Sequence, residues 1–438
     1  MDKEQMKKRV CAAIDKRAEE IIALGDYMFG HPELGYKEKL AAQLVEEKFQ
    51  ALGLDYRKGL AVTGLKARLP GKEHRLSVAV MGELDAVVCH DHPHADPLTG
   101  AAHCCGHNAQ TAMMVGVAMG LVDSGVMSEL DGDVVVMAVP AEEYVELDYR
   151  QKLRRNGQIK FLGGKQELIH LGEFDDIDMA MMCHSESETP GRIVRVPGAG
   201  VGSNGFVGKA VRYVGKEAHA GGAPHDGVNA LNAAMLGIMA IHANRETFKD
   251  ADAIRVHPII TKGGDLVNII PADVKIETYV RGRSIEAVMD ASLKVNRALR
   301  AGAMAVGAEV IIDEIPGYLP LFNDQNMAAL FNNNAVRLLG EAGVQPANFM
   351  AGSTDMGDVT HIMPGLHPMI GGVAGRAHAR DYEMVDPEMA YVVPAKIMAM
   401  TLIDLLHDGA KAGLQVKNEF EPRMTKEQYL AMWEDLLK

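Results

Sequence analysis

The 438-residue chain is poor in the features that mark several classes of protein. It has only five cysteines, and neither internal repeats nor low-complexity tracts are visible. Because five is an odd number and the spacing is irregular, a disulfide framework like that of small secreted domains is not expected. We expect buried free thiols or a thiol that binds metal.

Positive charge and long apolar runs are also scarce. Lys and Arg number 45 against 59 Asp and Glu, a net charge of −14, which argues against nucleic acid and anionic membranes as partners. No stretch approaches the roughly 18 consecutive apolar residues of a membrane span. The charged start, MDKEQMKKRV, lacks the apolar core of a signal peptide. The expected location is the cytoplasm.

The order of apolar segments predicts an α/β fold. Continuous apolar runs predict buried strands at 76–83, 133–140 and 178–183. Helices are predicted at 4–24, 37–53, 108–125 and 387–408. Strands that alternate with helices indicate a doubly wound, mostly parallel sheet. From residue 200 the predicted strands mix apolar and polar positions. The predicted elements of this region follow the order β-α-β-α-β. We therefore predict a main domain in two parts, 1–199 and 316–438, with a smaller α+β domain inserted at 200–315.

Side chains suited to metal binding or acid–base chemistry follow all three predicted strands. They are Glu83, Asp85, Cys105 and His107 after the first, Glu142 and Glu143 after the second, and His184 after the third. Since active sites of open α/β sheets lie at the carboxyl ends of the strands, these groups are expected to converge.

Two local patterns support that expectation, although neither is specific alone. Cys105 and His107 stand two residues apart before a helix, where a thiolate and an imidazole can bind one divalent ion. Asn108 is a candidate N-cap for that helix, and a buried thiol beside a capping histidine remains an alternative. Adjacent Glu142 and Glu143 point in different directions, so one can bind metal while the other reaches a water. An isolated Glu-Glu pair is more often a solvated turn.

The motifs become specific when they are taken in order. They are HPELGYKE (31–38), GELDA (82–86), HCCGHN (103–108), PAEE (140–143), GKEAHAGGAPHDGVNAL (215–231), DLVNIIPADVKIETYVRG (265–282), GSTDMGDV (352–359) and AHARDYEMVDPE (377–388). The sequence thereby resembles the aminoacylase/carboxypeptidase G-type metallopeptidases. Within them it is similar to the amidohydrolase branch, with aminobenzoyl-glutamate hydrolases and plant auxin-conjugate hydrolases. The match runs nearly end to end.

The resemblance implies roles for individual residues. It makes five residues the ligands of two divalent ions, Mn or Zn: Cys105, His107, Glu143, His184 and His378. Cys105 bridges the two ions, Glu142 is the general base, and Asp85 lies beside the site without being a ligand. His219 stabilises the oxyanion, often across a dimer interface. Asn268 and Arg281 hold the substrate, Arg281 through a carboxylate. The implied protein is a homodimeric amidohydrolase for N-acyl or N-aroyl amino acids or dipeptides. In it, 1–199 and 316–438 form the catalytic domain, and 200–315 form the lid or dimerisation domain.

The loop Val87–Ala102 departs from the family pattern. Its His90, His92 and His94 could form a separate structural metal site, although a polar loop with solvated histidines is the preferred interpretation. Asn108, Ala109 and Gln110 stand where many relatives carry Asp-Gly-His. A catalytically silent protein that binds metal or amino acids on the same scaffold is the alternative function.

Overall fold

The helices follow the apolar periodicity of the sequence. The computed structural model describes residues 1–186 and 191–437. Its α-helices are α1 (Lys3–Lys16), α2 (Ala18–Phe29), α3 (Lys39–Ala51), α4 (His107–Ser124), α5 (Leu147–Arg155), α6 (Gly164–His170), α7 (Ala230–Ala243), α8 (Ile285–Val306), α9 (Gln325–Leu339), α10 (Met356–Ile362), α11 (Val393–Leu406), α12 (Lys411–Glu419) and α13 (Lys426–Leu436).

The strands are shorter, and many have only two or three residues. They are β1 (Asp55–Leu60), β2 (Gly64–Leu69), β3 (Ser77–Glu83), β4 (Val87–Val88), β5 (Ala101–Ala102), β6 (Asp133–Val139), β7 (Met179–Met181), β8 (His184–Ser185), β9 (Val194–Val196), β10 (Gly205–Val214), β11 (Arg255–Val256), β12 (Ile259–Lys262), β13 (Asp273–Gly282), β14 (Glu309–Pro316), β15 (Val344–Pro346), β16 (Gly365–Leu366), β17 (Met369–Ile370), β18 (Val373–Ala374) and β19 (Glu383–Met384).

The chain divides into two compact units, of which the first holds the α/β sheet. This unit comprises Met1–Gly202, Phe322–Phe349 and Asp358–Thr425. Its main sheet has the order β1-β2-β6-β3-β7-β16, and the strands from β6 to β16 are parallel. β3 and β6 run in register from Ser77 opposite Asp133 to Glu83 opposite Val139. Both strands therefore end at the same edge, as predicted.

Helix α4 lies at the centre of this unit and positions the site. Nearly all of its residues are buried, and it packs against β3, α1, α2 and α11. Gly82 allows β3 and α4 to pack closely, since a Cβ there would lie 2.7 Å from the backbone carbonyl oxygen of Gln110. The first turn of α4 thus lies directly on the end of β3, which places His107 beside the residues that follow that strand.

The second unit is an antiparallel sheet with two helices and its own hydrophobic core. It comprises Ser203–Leu321, Met350–Gly357 and the chain from Lys426. The strand order is β11-β13-β10-β14, with β12 also paired to β13. Its boundaries lie a few residues beyond the predicted 200 and 315. It also includes α13, because that helix packs against β14.

The structure corrects three details of the sequence analysis. The helix predicted at 4–24 is two helices that break at Arg17, where the backbone leaves the helical region. Asn108 does not cap α4; the N-cap is Gly106, and the Asn108 amide donates inside the core to the carbonyl of Gly25. The segment Glu388–Leu406 is long and apolar enough to span a membrane, against expectation. A core helix passes the same test, and 94% of that window is buried.

Candidate metal centre

The five predicted ligands lie together in the first unit. Their donor atoms fall into two groups, Cys105 with His107 and His184, and Cys105 with Glu143 and His378, each within 4.8 Å. The Cys105 Sγ lies 3.4 Å from His184 Nε2, and Glu143 Oε1 lies 3.2 Å from His378 Nε2. Cys105 is the residue that the two groups share.

Tight backbone geometry brings Cys105 and His378 to the site. Gly106 has φ 89°, and a Cβ on it would lie 1.8 Å from Ser185 Oγ and 2.5 Å from the Tyr382 hydroxyl. Only glycine fits here without strain. His378 also has a positive φ, 58°, and its N–H donates to the carbonyl of Cys104 at 2.8 Å. That bond ties a distant segment of the chain to the Cys105 loop.

Asp85 holds His107 and Glu143 without belonging to either ligand group. The Nδ1–H of His107 donates to the Asp85 carbonyl at 2.9 Å and to its carboxylate at 3.1 Å. The other oxygen of that carboxylate accepts the Glu143 N–H at 2.8 Å. A histidine fixed in this way presents Nε2 as its ligand atom.

The charges of this cluster favour a bound cation, because Cys105 and Glu143 are held in their anionic forms. Burial and Glu143 raise the pKa of Cys105, but the imidazoles of His184 and His107 outweigh them and lower it to about 6. Burial raises the pKa of Glu143, but His378 and His107 lower it to about 2. Glu143 and Cys105 raise the pKa of His378 to about 11. Thiolate and carboxylate are the forms that bind metal.

The residues fit a divalent ion by a second criterion. His107 Nε2 and Glu143 Oε1 are buried and have no hydrogen-bond partner of acceptable geometry. Buried polar atoms without a hydrogen bond are rare and costly. Both of these atoms belong to residues of the two ligand groups. Mixed thiolate, imidazole and carboxylate donors suit Zn and other borderline divalent ions.

The structure adds residues that sequence reasoning left without a role. Buried Glu83 accepts from Lys165 Nζ at 2.5 Å and from the Gln110 amide at 2.8 Å, and it lies 3.0 Å from His107 Nε2. Burial raises the pKa of Glu83, but Lys165 and His107 hold it well below its usual range. His367 is buried with both ring nitrogens unpartnered and packs edge-on against His184. No spacing signal marks Lys165 or His367.

The histidine-rich loop does not form a metal cluster among the described residues. His92 is buried, so its predicted solvation is wrong. Its Nε2 donates to the Tyr382 carbonyl at 2.9 Å, and its Nδ1 accepts the N–H of His94 at 3.2 Å. Both ring nitrogens are therefore used in holding the loop, while His90 and His94 are exposed.

The predicted substrate-side residues belong to the second unit. His219 is exposed, and its Nδ1 accepts the N–H groups of Gly221 and Gly222 at 3.2 and 2.8 Å. The neutral ring then carries its proton on Nε2 and can donate it. The Asn268 carbonyl accepts the Ala220 N–H at 2.8 Å, so the two predicted residues are neighbours.

Arg281 lies elsewhere in that unit, near the end of β13. Its guanidinium donates to Ser353 Oγ at 2.9 Å and lies 5.3 Å from the ring centre of Phe206 and 5.6 Å from that of Tyr279. Such packing restricts the side chain to few conformations.

The strand ends of this α/β sheet hold a cluster of thiolate, imidazole and carboxylate groups beside a second glutamate. This arrangement is typical of a metal-dependent hydrolase. Comparison with known proteins then narrows the class. The sequence model of peptidase family M20/M25/M40 matches residues 79–404. The chain belongs to this family, which confirms the resemblance drawn from its motifs, and it is a hydrolase that acts on peptide or amide bonds.

Relatives span most of the chain. The Xaa-Arg dipeptidase of Mus musculus is 29% identical, over 98% of this chain and 95% of that protein. IAA-amino acid hydrolase ILR1-like 4 of Arabidopsis thaliana is 24% identical, over 78% and 74%. A solved structure of a dinuclear metal-binding M20 peptidase from Bacillus subtilis shares the fold. Its TM-score is 0.66 and its identity 20%, over 90% of this chain and 99% of that one.

Proposed function

We propose that this hydrolase cleaves the amide bond of a dipeptide or of an N-acyl or N-aroyl amino acid. The observation that carries the proposal is the pair of adjacent glutamates after β6. Glu143 Oε1 lies 3.2 Å from His378 Nε2, whereas Glu142 Oε2 lies 3.8 Å from His107 Nε2. The two carboxylates thus approach different histidines of the cluster, so Glu143 can hold an ion while Glu142 moves a proton.

Each predicted site residue has its own role in the proposed reaction. Two divalent ions, Mn or Zn, held by the predicted ligands would lower the pKa of water to about 7 and would polarise the scissile carbonyl. Glu142 accepts the proton of the attacking water and passes it to the leaving nitrogen. His219 donates Nε2–H to the developing oxyanion, an interaction worth about 3–4 kcal/mol. Arg281 forms a forked pair with the substrate carboxylate, and Asn268 helps to hold the substrate.

The relatives suggest where to look for the substrate. The mouse relative that spans 98% of the chain is named an Xaa-Arg dipeptidase, and the plant relative is named an IAA-amino acid hydrolase. Both names describe an amide bond to an amino acid. Dipeptides with C-terminal arginine and N-acyl amino acids are therefore the first compounds to test, each with added Mn and with added Zn.

We also propose that the protein is a homodimer through the second unit. Exposed apolar side chains there lie on α7 and β12: Met235, Leu236, Met239, Ile259 and Ile260. β12 pairs on one side with β13, so it offers an edge for a second copy. A solution molecular mass of one chain, with full activity, would contradict this proposal.

Substitution of Glu142 tests the mechanism. Glu142→Ala should retain metal but lose about 10²–10⁴-fold in kcat, because only proton transfer is removed. Glu146→Gln is the matched control, since Glu146 pairs with Lys37 on the surface. Full activity in Glu142→Ala would exclude the mechanism. A metal-loaded wild type that is inert towards the whole panel would favour the silent binding protein instead.

A further inference from the structure

The loop Ala141–Glu143, which carries both glutamates, lies outside the regular strands and helices. β6 ends at Val139 and α5 begins at Leu147. Ala141 has φ 55°, a left-handed conformation that is uncommon for residues other than glycine. Such a conformation persists only where the surroundings enforce it. The groups that enforce it here come from a sequence motif to which no role has been assigned, and from α5.

Glu38 holds one side of this loop. It is the last residue of HPELGYKE and is 0% exposed. One carboxylate oxygen accepts the N–H of Ala141 at 2.8 Å, and the other accepts the Thr63 hydroxyl at 2.6 Å. The bond to Ala141 fixes the peptide one residue before Glu142.

Arg150 of α5 holds the other side. Its buried guanidinium donates to the carbonyls of Ala141 at 3.2 Å and Leu162 at 2.8 Å, and also to that of Glu143. Gly35, in the same motif as Glu38, makes room for it. A Cβ on Gly35 would lie 2.3 Å from Arg150 Nη2 and 3.0 Å from the Ala141 Cα.

We propose that Glu38 and Arg150 are positioning residues that set the directions of Glu142 and Glu143. Burying a charged group is costly unless it is hydrogen-bonded. Here Glu38 and Arg150 each direct part of their hydrogen bonds to the backbone of this loop. Small displacements of catalytic groups lower rates strongly. The proposal rests on the proposed function for the role of Glu142, and on the metal centre for that of Glu143.

The motif contains a matched control. Glu33 also accepts two hydrogen bonds, from the N–H groups of Leu40 at 2.8 Å and Ala41 at 3.0 Å. Those donors belong to the start of α3 and not to the loop. Glu33→Ala and Glu38→Ala therefore remove the same chemical group from the same segment, and only the second releases Ala141.

The experiment measures Mn²⁺ affinity of the full chain by calorimetry, together with kcat, KM and the melting temperature. Glu38→Ala should weaken Mn²⁺ binding about 10-fold or more, as changes around metal ligands do, and should lower kcat about 10–100-fold with little change in KM. Glu33→Ala should lower the melting temperature while metal affinity and kcat stay near those of wild type. Glu38→Gln keeps an acceptor for Ala141 and should recover most of both losses. Arg150→Lys should lower kcat, because an ammonium lacks the planar fork whose two Nη groups donate to these carbonyls.

The outcomes separate this inference from the proposed function. Mn²⁺ binding needs no substrate, so the effect on Glu143 is measured even if every compound in the panel is inert. Equal losses in Glu33→Ala and Glu38→Ala, in proportion to lost stability, would reduce Glu38 to a structural role. Wild-type kcat and metal affinity in Glu38→Ala would overturn the proposal outright.

Discussion

The predicted ligands and the predicted substrate-side residues differ in how firmly the fold holds them. Cys105 and His107 are buried in the first unit, and Asp85 fixes the ring of His107 by two hydrogen bonds. His219 and Asn268 are exposed in the second unit, on segments joined by one isolated bridge. Cys105 and His107 are thus held in place by their surroundings, whereas the predicted substrate-side residues His219 and Asn268 are open to solvent. Substitutions in the two units should therefore fail in different ways.

The largest effect is expected at Cys105, the residue common to both ligand groups. Cys105→Ser should weaken metal binding by more than about 100-fold, since changes to residues around a ligand already cost about 10–100-fold. Activity should be lost with it. Elemental analysis and Mn²⁺ titration measure the result, with Cys11→Ser on the far helix α1 as the control. Two ions bound at wild-type affinity in Cys105→Ser would contradict the bridging role.

A smaller effect is expected at His219, with a different signature. His219→Ala should lower kcat about 10²–10³-fold, the usual cost of removing an oxyanion donor, and should leave metal content unchanged. His225→Ala removes a nearby exposed imidazole and should behave as wild type. If His219→Ala lost metal, the contrast between the two units would fail. If kcat did not change, His219 would not be the donor.

Much of the first unit could be predicted because its signals are local. The apolar runs at 76–83 and 133–140 predict β3 and β6, and parallel strands must end at one edge. That rule alone brings Glu83, Asp85 and Glu143 near each other. His378 carried no local signal, because its backbone N–H reaches Cys104 across more than 270 residues. It was found only through the family motif.

Other features depend on tertiary contacts that no spacing reveals. Lys165 is buried and its Nζ donates to Glu83, although the segment GGK resembles an ordinary turn. At the break between α1 and α2, the Arg17 guanidinium pairs with Asp123 of α4 and Glu20 of α2. His92 was interpreted as solvated because its neighbours in sequence are polar, yet its ring packs edge-on against Phe29.

The smallest effect on activity is expected from Glu314, which is partly buried in the second unit. It accepts hydrogen bonds from Lys209 Nζ at 2.8 Å and from the Asn296 amide at 2.5 Å. Burial raises the pKa of Glu314, but Lys209 and Asn296 outweigh it and hold the pKa below the ordinary 4.5. Because the folded pKa is depressed, the stabilisation is fully present above about pH 4.5. It is lost as the pH falls below that value, through the folded pKa.

Glu314→Gln should therefore destabilise the second unit by about 1.5–3 kcal/mol at neutral pH, the range for hydrogen bonds to charged groups. It should also make the loss of stability below pH 4.5 shallower than in wild type. The single tryptophan, Trp433, is buried in α13 of this unit, so its fluorescence reports the unfolding. Mn²⁺ affinity should remain that of wild type, because every predicted ligand lies in the other unit. Parallel acid profiles for the two proteins would show that Glu314 is not the titrating group. A weakened metal site would show that the two units are not independent.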